Sequence, residues 1–217
     1  MHKKDRVYDF IVERLLRADY DFGESILVKD LAADIGVSRQ PIMTALSRLA
    51  ADGFVRIVPQ VGCQVVSPSR AEIGDFFLMF QRMEGLLAEL AAARRSASQL
   101  RELKAIQSRI VSLEGSDQAV AADYAVLNRA FHEMIHIMAQ SPLLDERQRS
   151  NFNMSDFFIS HSIGFDQLLT GVAQEHDAII SAIERQVPDR ARAVAEVHIG
   201  SVTSAVLAAL ERKVAAA

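Results

Sequence analysis

With 217 residues, half of them hydrophobic and 24% charged, the chain is too apolar for a disordered protein and long enough for two ordinary domains. Its net charge of −4 gives no overall basic surface, so any nucleic-acid partner must be met by a local patch. Its single cysteine, Cys63, excludes an internal disulfide and is expected to serve packing, and no apolar run approaches the roughly 20 residues of a bilayer span.

The charged start, residues 1–6, leads into an amphipathic helix rather than an unbroken signal-peptide core, so a cytoplasmic location is expected and no membrane partner. Residues 29–35 place apolar side chains at helical spacing and stop at Gly36, a residue suited to a positive φ. Ser38 is positioned to cap a second helix, and Pro41 lies near its start, where a missing N–H costs little. Along that helix Ile42, Leu46 and Leu49 form one buried stripe, leaving Gln40, Thr44, Ser47 and Arg48 outward. Asp52-Gly53 ends it. Residues 54–58 and 63–66 are rich in β-branched side chains, and Pro59-Gln60-Val61-Gly62 supplies a turn between them.

Two helices joined at a glycine and followed by a β-hairpin predict a winged helix-turn-helix, whose second helix enters the major groove of DNA. The charge distribution agrees. Residues 1–66 carry nine basic and nine acidic side chains, and the remainder fifteen and nineteen. Between Ser38 and Val58 there are three arginines and one aspartate, a locally positive stretch.

After Ser67-Pro68-Ser69, helices are predicted over 72–95, 97–113, 118–139, 143–160, 167–186 and 189–213, with breaks at Gly115-Ser116-Asp117, Ser141-Pro142, Gly164 and Pro188. Short connections favour an antiparallel bundle. The expected fold is therefore mainly α: a winged helix-turn-helix of three helices plus a hairpin over residues 1–67, then an all-helical domain over residues 68–217.

Asn128 and His132 share a helical face, His176 lies on a later helix, and His198 follows 22 residues on. Three helices can aim these side chains at one point, and neutral imidazoles suit zinc, nickel and similar divalent ions. Surface or hydrogen-bonded core histidines are the alternative. His132-Glu133-Met134-Ile135-His136 also matches His-Glu-x-x-His, which predicts a zinc-dependent hydrolase. Against that stand the missing third ligand and the absence of any strand signal to build a peptide cleft, so His136 is read as packed or pocket-lining. Asn151, Asn153, Ser155 and His161, among Phe152, Met154, Phe157 and Phe158, would line a cavity or belong to the core. Arg94-Arg95, Arg147 and Arg149 read as solvated faces or salt bridges.

The stretches Phe22-Gly23-Glu24, Leu31-Ala32, Gly36-Val37-Ser38-Arg39-Gln40-Pro41-Ile42-Met43-Thr44-Ala45-Leu46 and Gly53-Phe54 resemble the amino-terminal reader of the GntR family of bacterial transcription factors. Phe131-His132, Glu175-His176 and His198 are similar to the all-helical FCD effector domain of its FadR-type branch. The resemblance implies a homodimeric regulator, expected to act as a repressor, that binds a pseudo-palindromic double-stranded operator and responds to a small organic acid. It implies no catalysis. Lys29 and Arg39 are expected on DNA by resemblance and Arg48 by its outward position, with Ser38, Gln40 and Thr44 beside them and Gln60 and Gly62 at the wing tip. Asn128, His132, His176 and His198 are the implied metal ligands, and with Arg82 and Asn151 the expected effector-binding set.

Three positions depart from the family pattern. Met43 replaces its second reader arginine. Asn128 replaces an aspartate, offering a neutral carbonyl where a dication prefers a carboxylate. Phe80 replaces an arginine four residues before Glu84, with Arg82 close by as the stand-in. A helical sensor that has lost DNA binding through changes such as Met43 is the remaining alternative.

Overall fold

Val7, Ile11 and Leu15 recur one turn apart along α1 (Lys3–Leu16) and are all buried, which fixes the face that this helix turns to its neighbours. The computed structural model describes residues 3–58, 62–115 and 118–216. By its contacts the chain divides into two units, Met1–Ser69 with Asn153–His161, and Arg70–Phe152 with Ser162–Ala217.

In the first unit, β1 (Ser25–Ile26) precedes α2 (Val28–Ile35), which stops at Gly36. Gly36 has φ 70°, and its N–H donates to the Ala32 carbonyl, a left-handed cap that a side chain would strain. In α3 (Arg39–Ala51), Ile42, Leu46 and Leu49 are fully buried. Ser38 does stand at the N-cap, yet its side chain makes no capping hydrogen bond. Strands β2 (Val55–Val58) and β3 (Gly62–Val65) pair antiparallel from Val55 with Val65 to Val58 with Gly62. The turn tip, including Gln60, lies outside the described residues.

The sheet has three strands rather than the two expected, in the order β1-β3-β2, with Ile26 opposite Cys63. A two-residue strand is too short to show an alternating pattern in sequence. A second difference concerns residues 153–161, which belong by their contacts to this unit and not to the helical one. Phe157 is fully buried there, with ring centroids 5.5 Å from Phe22 and 5.6 Å from Phe54.

The second unit is helical: α4 (Arg70–Arg94), α5 (Ala97–Val111), α6 (Gln118–Ala139), the first part of α7 (Pro142–Ser162), α8 (Leu169–Glu184) and α9 (Pro188–Ala216). Helix α4 lies along α9 and α6, α5 contacts α6 and α8, and α8 contacts α9. Gly85 lets α4 approach α9: a Cβ there would stand 2.7 Å from Glu196 Cγ. Ser96 starts α5 with a capping box, its hydroxyl accepting from Gln99 N–H while the Gln99 side chain returns to the Ser96 N–H. Both Pro142 and Pro188 are first residues of helices, where proline is tolerated.

Against the sequence expectation, Pro188–Lys213 reaches the length and hydropathy of a bilayer span, with a mean hydropathy of 1.6. Its apolar face instead supplies Val194, Ile199, Val202 and Val206 to the bundle core.

Candidate functional site

Histidines 132, 176 and 198, from α6, α8 and α9, are all at least 98% buried and meet in the helical unit. Their ring centroids are 4.9 to 5.7 Å apart. One nitrogen from each lies within 4.8 Å of the others, the one such trio among the described His, Cys, Asp and Glu residues. Two zinc–nitrogen bonds of about 2.1 Å at the tetrahedral angle put ligands about 3.4 Å apart, so small ring rotations would close the site on an ion.

Each ring is held from behind. Glu84 Oε2 lies 2.7 Å from His132 Nδ1, Gln107 Oε1 3.2 Å from His176 Nδ1, and Glu175 Oε2 2.8 Å from His198 Nδ1. An acceptor on Nδ1 stabilises the tautomer whose Nε2 carries a free lone pair, the arrangement found behind metal-binding histidines. His176 Nε2 is buried and has no hydrogen-bond partner. A buried acceptor of that kind, next to two more imidazoles, fits a divalent cation. Burial, with His198 and His132 nearby, holds His176 well below the usual histidine range, so the ring is neutral and its lone pair available.

Glu84 is the hub of the surrounding network, and sequence reasoning missed it. On α4 and 3% exposed, it accepts from His132, from His136 Nε2 at 2.9 Å, and from Gln148 Nε2 of α7 at 2.8 Å. Burial alone would raise its pKa, but His136 and His132 hold it well below the ordinary carboxylate range. Burial pulls His132 down and leaves it neutral, whereas Glu84 and Asp145 outweigh burial at His136 and raise it. Glu84 and His136 therefore form a buried ion pair, to which His132 adds a neutral N–H donor. Asn151 joins through its Nδ2, 2.9 Å from Gln148 Oε1. Around Glu175, hydrogen bonds from His198 and Ser201 outweigh burial and keep the carboxyl ionised.

The other expected site residues have partners of their own. Asn128, one turn before His132 and half-buried, accepts from the Tyr124 hydroxyl at 3.4 Å. Arg82, expected to replace the missing family arginine, instead pairs with Glu196 of α9 and is 64% exposed. Phe80 is buried against Phe152, with centroids 5.4 Å apart. Arg129 Cζ lies 5.3 Å from the Phe152 ring centroid, itself 5.1 Å from that of His132, so an unforeseen cation stands beside the cluster. In the first unit, both His161 nitrogens meet carbonyls, Phe157 and Tyr20, at 2.8 Å each, so this ring is structural. The hydrolase alternative is not supported: Glu133 is exposed, and His136 pairs with Glu84 and is not one of the three clustered histidines.

On the reader, Lys29, Ser38, Arg39, Gln40, Thr44 and Arg48 are all exposed, as is Gly62 at the start of β3. Thr44 and Ser47 hydroxyls donate to the Gln40 and Met43 carbonyls of their own helix, at 3.1 and 2.9 Å. Arg48 lies over the Tyr8 ring of α1, 3.9 Å from its centroid, and the Tyr8 hydroxyl donates to Asp52 at 2.6 Å. Burial and Asp52 push the Tyr8 phenol above its ordinary value. Arg48 is thus held to the carboxyl-terminal end of α3, while Arg39 occupies its first turn.

A winged helix-turn-helix with an exposed polar recognition helix, carried with a separate helical unit, defines a DNA-binding transcriptional regulator rather than an enzyme. The chain belongs to the bacterial regulatory proteins of the gntR family: that family's model matches residues 3–65, and the FCD domain model matches residues 75–201. It is 22% identical over 198 residues to the HTH-type transcriptional repressor GlaR of Escherichia coli, covering 88% of this chain and 90% of GlaR. It is 24% identical over 198 residues to a probable D-xylose utilization operon transcriptional repressor of Paenarthrobacter nicotinovorans, covering 90% and 85%. Among solved structures, E. coli McbR/YncC shares the fold with a TM-score of 0.78 at 17% identity, covering 95% of this chain and 97% of that one. A putative GntR regulator from Rhodococcus sp. RHA1 does so at 0.75 and 16% identity, covering 95% and 98%.

Proposed function

We propose that this protein is a cytoplasmic, homodimeric repressor whose operator affinity is set by a small carboxylate effector held in the helical domain with the help of a divalent metal ion. Residues 1–67 would read DNA, and residues 68–217 would bind effector and form the dimer. The observation that carries the proposal is the union of an exposed polar face on α3 with a buried histidine trio whose Nδ1 atoms all face acceptors. The repressor names of similar proteins support the direction of control.

Arg39, Gln40 and Thr44 on α3, with Ser38 before it and Lys29 on α2, would meet bases and phosphates, with Arg48, Gln60 and Gly62 completing the contact surface. His132, His176 and His198 would hold the ion, with Asn128 as the fourth candidate. When bound, a zinc, nickel or similar ion would offer a Lewis-acid contact for a carboxylate oxygen. Arg129 is better placed than Arg82 to receive the rest of the anion, and Asn151 is within the same network.

Selection of random duplex DNA by the purified protein, repeated with zinc and a panel of small carboxylates, tests this. Enrichment of an inverted repeat is expected. Arg39→Ala should weaken binding at least about tenfold and reduce the salt slope by about one. A carboxylate that shifts operator affinity by roughly 5- to 150-fold would correspond to ordinary allosteric coupling. Failure to enrich any sequence with or without these additions refutes the proposal.

A further inference from the structure

Gln107 of α5 is 5% exposed and bridges two consecutive residues of α8. Its Nε2 lies 3.1 Å from Asp177 Oδ1, and its Oε1 lies 3.2 Å from His176 Nδ1. A carboxylate can only accept, so the amide must present its NH₂ to Asp177, which turns its carbonyl oxygen to the imidazole. That oxygen also only accepts, so Nδ1 must carry the ring proton and Nε2 must carry the lone pair. Nε2 is the buried atom without a partner.

We propose that Asp177 and Gln107 form a relay of positioning residues that fixes His176 as its Nδ1–H tautomer, and so presets Nε2 as a ligand for the divalent cation shared with His132 and His198. This rests on the metal reading of the trio given above. The other two rings are each fixed in one step by a carboxylate, Glu84 or Glu175. His176 is held by an amide, which could offer either end to the ring. Asp177 removes that freedom from outside the core: it is exposed, and its role is to choose which end of Gln107 faces inward.

The test uses the full chain. Nitrogen-15 NMR of the metal-free protein, at a pH where the rings are neutral, reads the His176 tautomer, and competition with a chromophoric chelator reads Zn²⁺ affinity. Wild type should show the Nδ1–H form alone. Gln107→Leu should give a tautomer mixture and a Zn²⁺ affinity lower by about 10- to 100-fold. Asp177→Asn, a surface change that does not threaten folding, should give a smaller loss of the same kind. Combining Gln107→Glu with Asp177→Asn reverses the first link but keeps an acceptor on Nδ1, and should restore both readouts. Wild-type tautomer and affinity in Gln107→Leu and Asp177→Asn would overturn the relay. An Nδ1–H tautomer in a wild-type protein that binds no Zn²⁺ would overturn the cation assignment together with the reading beneath it.

Discussion

Replacing Glu84 with glutamine changes one atom's chemistry at a point where three donors converge. His132 Nδ1, His136 Nε2 and Gln148 Nε2 reach the Glu84 carboxylate at 2.7, 2.9 and 2.8 Å. A glutamine keeps one acceptor oxygen and puts an NH₂ against at least one of those donors. It also removes the countercharge of His136, leaving Asp145 at 3.5 Å and the exposed Glu133 as weaker carboxylate neighbours. Breaking a buried ion pair by removing one partner costs about 3–5 kcal/mol. For a chain of this length that corresponds to roughly 6–20 °C in Tm. Thermal unfolding followed by circular dichroism measures it.

The pH dependence supplies a second check on the same variant. The Glu84 carboxyl is held below its ordinary value of 4.5, so its contribution is present above that value and is lost in acid. His136 is raised above 6.5, so its contribution is present below that value and is lost as pH rises through the folded-state value. The gap between wild type and Glu84→Gln should therefore be widest between about pH 4.5 and 6.5 and should narrow in alkali. A loss below about 1 kcal/mol, or a gap that widens with alkali, would refute the buried-pair assignment.

Four further outcomes are expected. Phe157→Ala, which empties the space between Phe22 and Phe54, should destabilise the amino-terminal unit by about 3–5 kcal/mol in urea unfolding, and a cost under about 1 kcal/mol would contradict its core position. Gly36→Ala forces a side chain into the left-handed region and should cost about 1–2 kcal/mol, so unchanged stability would argue against that turn. Burial pushes the Cys63 thiol up to about 11, so at about pH 8 it should resist alkylation until the chain is denatured, and prompt labelling of the native protein would overturn that. His176 is neutral in the fold but takes a proton when unfolded below 6.5, so metal-free protein should lose stability as pH falls through that value. His176→Gln should flatten that slope by up to about 1.4 kcal/mol per pH unit, and an unaltered slope would contradict the buried neutral ring.

The helix-turn-helix was legible because its signals are local. Helical spacing from Leu31 to Leu49, a glycine with positive φ and a β-branched hairpin act over a few residues each. The helical breaks at Pro142 and Pro188 were legible for the same reason. Strand β1 was not, since two residues carry no period, and its place beside β3 depends on partners far along the chain, Gln64 for Ser25 and Cys63 for Ile26. Arg82 shows how nearness along the chain misleads. Two residues on a helix turn it by about 200°, so Arg82 points away from the face that Phe80 buries.

The sequence by itself determined which segments are helices, that a winged reader precedes a helical domain, and that His132, His176 and His198 have the chemistry to share an ion. Only the tertiary structure decided that these rings converge, that His136 turns to Glu84 instead, and that residues 153–161 pack with Phe22 and Phe54. The reason is physical: secondary structure follows from short-range periodicity and backbone sterics, whereas a lone pair's direction and a carboxylate's charge are set by partners such as Glu84, Gln107 and Glu175, brought by packing from other helices.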